Sequence, residues 1–277
     1  MCSPGRKKDE THCAQDEAGQ GLRSHRKGRL SILGIGPGDA GLLSHRADRA
    51  LRDCQVIVGY KTYIKLLEGL VAGKEIVSSG MTQESRRGRE AIKKALEGKD
   101  VCLISSGDPG IYGMAGVILE LLRKGEENRI RIEVIPGITA ASSCASLLGA
   151  PLMNDFAVIS LSDLLTNLKL IEERVESACQ GDFVIVFYNP KSMKRVRPLE
   201  RAWQILMRHK SPQTPVGIVR NAQREDEEVT ITCLKDMLTS KRIDMGTTII
   251  VGNSKTYVKG QYMITPRGYK FKQRTTR

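Results

Sequence analysis

The chain has 277 residues, 40% hydrophobic and 27% charged, enough for one large α/β unit or two domains of ordinary size. No run approaches the roughly 18 apolar residues of a membrane helix, and residues 1–29 contain no apolar h-region, so neither a membrane span nor a secretory leader is expected and the default location is cytoplasmic. The net charge of +13 sits mainly on two polar ends: residues 1–29 carry seven Lys/Arg against four Asp/Glu, and residues 255–277 carry seven against none. Mobile, solvated tails are expected there, and nucleic acid is not an expected partner.

Seven cysteines, at positions 2, 13, 54, 102, 144, 179 and 233, include no C-x-x-C pair. That pattern suggests reduced thiols and no metal site, the small group of Cys2, His12 and Cys13 included.

From Arg29 the pattern becomes regular. RLSILGIG predicts a buried strand, and LLSHRADRALRDC an amphipathic helix with Leu43, Ala47, Ala50 and Leu51 on one stripe. QVIVGY is a second strand, continuous in apolar residues as a doubly covered parallel sheet requires. A helix over TQESRRGREAIKKALEGK is stopped by Gly98; the strand DVCLIS runs into SGDPGIYG, and AGVILELLRKG is the next helix. RIEVIPGITAASSCASLLGA repeats the plan with a helix of small residues. A boundary is expected near 149–155. Beyond it FAVISLS, DFVIVFYNP, TPVGIVRNA, EVTITCL and TTIIVGN predict five strands, with helices at about 164–179, 198–210 and 234–240. The alternation of EVTITCL assigns it to a mixed or antiparallel part of the second sheet. Strands alternating with helices argue for α/β architecture. The division expected is an N-terminal extension over 1–29, α/β domains over 30–150 and 151–257, and a basic tail over 258–277.

The segment LGIGPGDAGLL (33–43) invites a dinucleotide reading and does not support it. The third glycine of G-x-G-x-x-G would fall at position 39, which is Asp39, and Pro37 has no N–H to offer a phosphate. Ligands of open α/β sheets bind beyond the carboxyl ends of strands. The unusual residues collect there: GIGPGD (34–39), SSGDPGIYG (105–113), PGITA (136–140), SLSD (160–163), FYNPKS (187–192) and RNA (220–222). Asp108 suits a ligand with amino or hydroxyl groups, against the bland reading of an Asx turn capping its own loop. Tyr112 and Tyr188 are placed to flank a flat ring. His45 reads as a surface residue. Two basic groups, Arg86, Arg87 and Arg89, then Lys191, Lys194, Arg195, Arg197 and Arg201, would complement a polycarboxylate or simply face solvent. With no nucleophile constellation, chemistry carried by a cofactor is favoured.

GIGPGDAGLLSHRADRAL, SSGDPGIYGMAG and PGITAASSCASLLGAPL resemble the successive motifs of the tetrapyrrole methylases, over about Leu30 to Tyr257. VGYKTYIKLL, ISLSDLLTN and FVIVFYNPKSMKR are similar to the branch that methylates C17 of precorrin-3B or cobalt-factor III. The resemblance implies two α/β domains with a cleft between them, S-adenosylmethionine as methyl donor, a polycarboxylate tetrapyrrole as substrate, ring contraction coupled to methylation, and a homodimer. By motif position it implies a cofactor site lined by Pro37, Gly107, Asp108, Ile111, Tyr112, Thr139, Ala140, Leu161, Ser162, Asn189, Asn221, Ala222 and Thr247. Asp39, Asp108 and Asp163 are the carboxylates to test for proton movement. Methylases of other tetrapyrrole carbons, a ribosomal RNA methyltransferase, a non-catalytic corrin carrier and a nicotinamide oxidoreductase are the alternatives. FYNPKS and SLSDLL argue against the first, SSGDPGIYG against the second, an intact cofactor pocket against the third and Asp39 against the last.

Overall fold

The computed structural model describes residues 26–67, 69–240 and 242–270. The N-terminal extension up to residue 25, with Cys2, His12 and Cys13, and the last seven residues lie outside them.

The first sheet is fully parallel. Its strands are β1 (Arg29–Gly34), β2 (Val56–Tyr60), β3 (Glu75–Ser79), β4 (Asp100–Ser105) and β5 (Arg131–Ile135), in the spatial order β3-β2-β4-β1-β5. Side-chain alternation sends Leu30, Ile32, Val56, Val58, Val101 and Leu103 to one face. There they meet Ala91, Ile92 and Ala95 of α3 (Glu84–Leu96) and Met114, Ala115 and Ile118 of α4 (Met114–Leu121). Leu33, Ile57, Cys102 and Ile104 point to the other face, against Ala47, Ala50 and Leu51 of α1 (His45–Asp53). Burial on both faces is why these strands read as continuous apolar runs. Helix α1 starts later than its apolar pattern suggests, because Ser44 caps it by accepting a hydrogen bond from the Ala47 N–H (3.2 Å). Leu43 packs beside the same core from outside the helix. The short α2 (Lys61–Lys65) follows β2.

The second sheet is mixed. Its strands are β7 (Phe156–Ser160), β8 (Val184–Tyr188), β9 (Pro215–Arg220), β10 (Glu228–Cys233) and β11 (Thr247–Val251), ordered β10-β9-β11-β8-β7. β7 and β8 run parallel, β11 opposes both β8 and β9, and β10 opposes β9, as its alternation predicts. One face is covered by α6 (Leu168–Gln180), α7 (Arg197–His209) and a 3₁₀ helix at Leu234–Thr239. Helix α6 begins at 168, not 164, because the Asn167 side chain caps it at the Lys169 N–H (2.9 Å).

The other face is covered by α5 (Ala140–Leu148). Its Ala141, Cys144, Ala145 and Leu148 pack with Val184, Val186, Val219 and Ile250 of the second sheet. Gly217 in β9 makes room for it: a Cβ there would lie 2.8 Å from Leu148 Cδ2. A boundary near 149–155 therefore needs correcting, since the chain changes sheets before α5, at the turn 136–139.

The expected tail from 258 also needs correcting. β12 (Tyr257–Lys259) and β13 (Tyr262–Ile264) form a hairpin that pairs with β6 (Gly149–Ala150). Met263 and Thr265 are fully buried, and the Thr265 N–H donates to the Ala150 carbonyl (3.1 Å). Hairpin pairing and burial hold this stretch in the fold despite its basic composition.

Candidate active site

The sheet order explains why three glycine-rich loops meet. β4, β1 and β5 are adjacent, so the loops leaving their carboxyl ends, 34–39, 105–113 and 136–140, emerge side by side. Gly36 and Gly107 then pair as a backbone bridge: the Gly107 N–H donates to the Gly36 carbonyl (2.7 Å) and the Gly36 N–H to the Gly107 carbonyl (3.2 Å). A Cβ on Gly34 would fall 2.8 Å from the Gly137 nitrogen and one on Gly137 would fall 2.9 Å from the Gly34 Cα, closer than side chains tolerate. Gly34 thus lets loop backbones touch one another, and Gly36, at φ 66°, spends its N–H on the bridge, so that it is not free for a phosphate.

Asp108 locks this arrangement. One carboxylate oxygen accepts from the Gly110 N–H (2.8 Å), the expected Asx turn, and the other from the Gly137 N–H (3.0 Å) of the neighbouring loop. The carboxylate is a tie between two strand ends as well as part of the cleft wall.

The opposite wall comes from the second domain. Tyr188, at the end of β8, accepts a hydrogen bond from the Ala141 N–H (2.6 Å) at the start of α5 and shares one with the Thr139 hydroxyl (2.5 Å). Burial pushes its phenol up from the ordinary tyrosine value. The Tyr112 hydroxyl donates to the Val158 carbonyl and accepts from the Ser160 N–H, both at 3.2 Å. The two rings touch each other, centroids 5.8 Å apart and tilted by 59°, and so do not sandwich a planar ligand as expected. Tyr112, Asn189 and Asn221 all hold left-handed backbone conformations, with φ of 52°, 52° and 49°. Such conformations cost about 1–3 kcal/mol each for residues other than glycine and collect where function demands a shape.

Pro37, Gly107, Asp108, Ile111, Tyr112, Thr139, Ala140, Asn189, Asn221, Ala222 and Thr247 all line this one cleft. Leu161 and Ser162 do not. Leu161 is fully buried in the core beneath β7 and β8, and the Ser162 hydroxyl accepts a hydrogen bond from Arg195 Nη1 (2.9 Å). Asp39 and Asp163 are not brought to the cleft either. Asp39 is exposed and caps the turn at Ala40–Leu42 through the Gly41 N–H (2.6 Å), and Asp163 lies 3.7 Å from Arg195 Nε. His45 is exposed at the start of α1.

The basic groups separate. Arg87 turns inward, donating to the Ser79 hydroxyl (2.8 Å) and the Gly80 carbonyl (2.9 Å), and Arg89 pairs with Glu126. Arg201 pairs with Glu172 (2.7 Å), whereas Lys194 and Arg197 stay exposed beside the cleft loop. Arg195 is nine-tenths buried, braces the Asn189 carbonyl (3.2 Å) and touches the Met245 sulfur, and so holds two cleft residues in place.

Sequence reasoning missed Tyr63, Ser106, Ser143, Cys144, Arg224, Met245, Gly246 and Thr248 in the lining. For Ser143 and Cys144 a signal existed. They lie three and four residues after Ala140 and so share its face of α5.

Comparison with known proteins agrees with this construction. The sequence profile of Tetrapyrrole (Corrin/Porphyrin) Methylases matches residues 29–238. A cobalt-factor III methyltransferase of Priestia megaterium is 52% identical over 249 residues, 89% of this chain, which spans 46% of that protein's length. A probable cobalt-factor III C(17)-methyltransferase of Salmonella typhimurium is 49% identical over 87% of this chain and 99% of its own length. The crystal structure of the methyltransferase CobJ superposes with a TM-score of 0.82 at 33% identity, covering 86% of this chain and all of that one. With its two sheets, its glycine-bridged loops and a matching profile over most of its length, the chain belongs to the tetrapyrrole (corrin/porphyrin) methylase family.

Proposed function

We propose that the chain is an S-adenosylmethionine-dependent C-methyltransferase that methylates C17 of cobalt-factor III or precorrin-3B, with ring contraction, in cobalamin biosynthesis. The observation that carries this reading is the cleft. All but two of the thirteen positions named from the motifs line a single pocket at the junction of the two domains. The names of the Priestia and Salmonella relatives support the choice of substrate and carbon.

The residues present fit the proposed methyl donor. The cleft is lined mostly by small and neutral polar residues, with sulfur from Cys144 and Met245, rings from Tyr63, Tyr112 and Tyr188, and two charged residues, Asp108 and Arg224. Pro37 withholds an N–H where a phosphate would need one. When bound, the donor supplies an electrophilic methyl carbon already attached to a positively charged sulfur. The protein's part is alignment, and the glycine bridge and the Asp108 tie provide a rigid floor for it. Lys194 and Arg197, exposed on the loop and helix after Asn189, are placed to meet substrate carboxylates. Asp39 and Asp163 lie outside the cleft, so Asp108 is the carboxylate we assign to the site, as a binding and positioning group. The reading includes a homodimer in the cytoplasm, the former checked by light scattering of the purified protein. Among the described residues no helix is long and apolar enough to cross a membrane.

Calorimetric titration with S-adenosylhomocysteine tests the cofactor site. The wild type is expected to bind in the micromolar range, and Asp108→Ala, which strands the Gly110 and Gly137 N–H groups, to lose at least about tenfold in affinity. Absence of binding by the wild type, with and without cobalt-factor III present, would contradict the methyltransferase reading and favour a carrier of corrin intermediates.

A further inference from the structure

Arg224 stands out in the cleft. It leaves the loop after β9 in the second domain and crosses to the first, where Nε donates to the Pro37 carbonyl (2.5 Å) and Nη2 to the Ser106 hydroxyl (3.2 Å). Gly38 leaves it passage, since a Cβ there would lie 3.1 Å from Nε and 3.3 Å from Cγ of Arg224. Among the described residues the guanidinium forms no ion pair, and Nη1 has no hydrogen-bond partner. Arg224 and Asp108 are the charged residues of the cleft lining, and both oxygens of Asp108 already accept from backbone N–H groups. Burial pulls the guanidinium below its ordinary value, and the groups that oppose this shift are Tyr63 and Cys144, not a carboxylate. A half-buried cation held by neutral acceptors alone carries an unmet demand for an anion. Tyr63, whose hydroxyl also lacks a described hydrogen-bond partner, lines the same cleft and is near enough to Arg224 for the two to interact electrostatically.

Resting on the methyltransferase reading, we propose that Arg224 is a carboxylate-binding residue of the cleft, joined by the Tyr63 hydroxyl, so that ligand capture and the clasp between the two domains use one side chain. Nη1 and the outer edge of the guanidinium take the carboxylate, while Nε and Nη2 keep the Pro37 and Ser106 bonds. Two sources present this chemistry, the α-carboxylate of the cofactor's amino-acid part and an acidic side chain of the tetrapyrrole.

The test uses the full chain as wild type, Arg224→Gln, Arg224→Lys and Tyr63→Phe. It measures Kd for S-adenosylhomocysteine, Kd for 5′-methylthioadenosine, which keeps the nucleoside and thioether but has no carboxylate, and KM for cobalt-factor III. Arg224→Gln is expected to weaken one carboxylate ligand by roughly 10- to 100-fold, the loss of a charge-assisted hydrogen bond. Arg224→Lys and Tyr63→Phe are expected to shift the same parameter less. A rise in Kd for the homocysteine compound with methylthioadenosine unchanged assigns the cofactor carboxylate. A rise in KM with both Kd values unchanged assigns the substrate. Equal values across all variants, or parallel weakening of both nucleosides with KM unchanged, would overturn the proposal and leave Arg224 a domain clasp only. Should Arg224→Gln fail to fold, the Lys and Phe variants decide by the same comparisons. A wild type that binds neither nucleoside counts against the methyltransferase reading itself.

Discussion

The two walls of the cleft are built by different means. The first domain shapes its wall by leaving side chains out: Gly34 and Gly137 let strand ends approach until their backbones touch, Gly36 and Gly107 hold the positive φ of their bridge, and Asp108 ties the loops. The second domain shapes its wall with side chains: Tyr188 reaches the start of α5, Arg195 braces Asn189, and Arg224 crosses to Pro37. A wall made of backbone tolerates no added atom, whereas a wall made of side chains loses one bond at a time. The first should therefore fail abruptly and the second by degrees.

Helix α5 joins the walls, so its removal from the second sheet should have the largest effect. Leu148→Ala empties the space opposite Gly217 and is expected to cost about 2–5 kcal/mol in urea unfolding. A neutral result would mean that α5 does not anchor the second sheet. Next comes Gly137→Ala, which should cost about 1–3 kcal/mol by overpacking and abolish S-adenosylhomocysteine binding, because the Gly34 and Gly107 loops must part. Unchanged binding would show that the backbone bridge is dispensable. On the other wall, Tyr188→Phe removes one acceptor from Ala141 and Thr139 and should cost about 1 kcal/mol, with weakened but measurable cofactor binding. Equal damage from Gly137→Ala and Tyr188→Phe would erase the distinction between the walls.

The smallest effect lies away from both walls. Hydrogen bonds from Lys94 and then Lys99 hold Glu75, at the sheet edge, at about 2, below its ordinary carboxylate value near 4.5. A depressed carboxylate stabilises the fold above its unfolded value and loses that contribution as pH falls toward 2. Glu75→Gln should flatten the acid limb of stability between about pH 4.5 and 2. The exposed position makes the change slight, visible only by comparing melting curves across that window.

Sequence made the first wall plain because its determinants are local. β1, β2 and β4 are buried on both faces and so read as apolar runs, and glycine and proline mark their ends. β3 escaped notice because it is a largely exposed edge with few apolar residues between turn signals. The allegiance of α5 was hidden for another reason. Small residues announce close packing without saying against which sheet. The second wall depends on long-range contacts, and there local reading failed in both directions. Leu161, in a polar SLSD setting, is core, and Arg224, which no motif singles out, crosses the cleft. Asp39 and Asp163 stand beside motif residues in sequence, yet the backbone turns them out of the pocket.

The most direct test of the account follows the methyl group itself. Purified protein is incubated with cobalt-factor III and S-adenosylmethionine carrying a ¹³C-labelled methyl, and the product is located by NMR. The account predicts label at C17 of a contracted ring. Label at another ring carbon, or none in the tetrapyrrole while the cofactor remains bound, would contradict it.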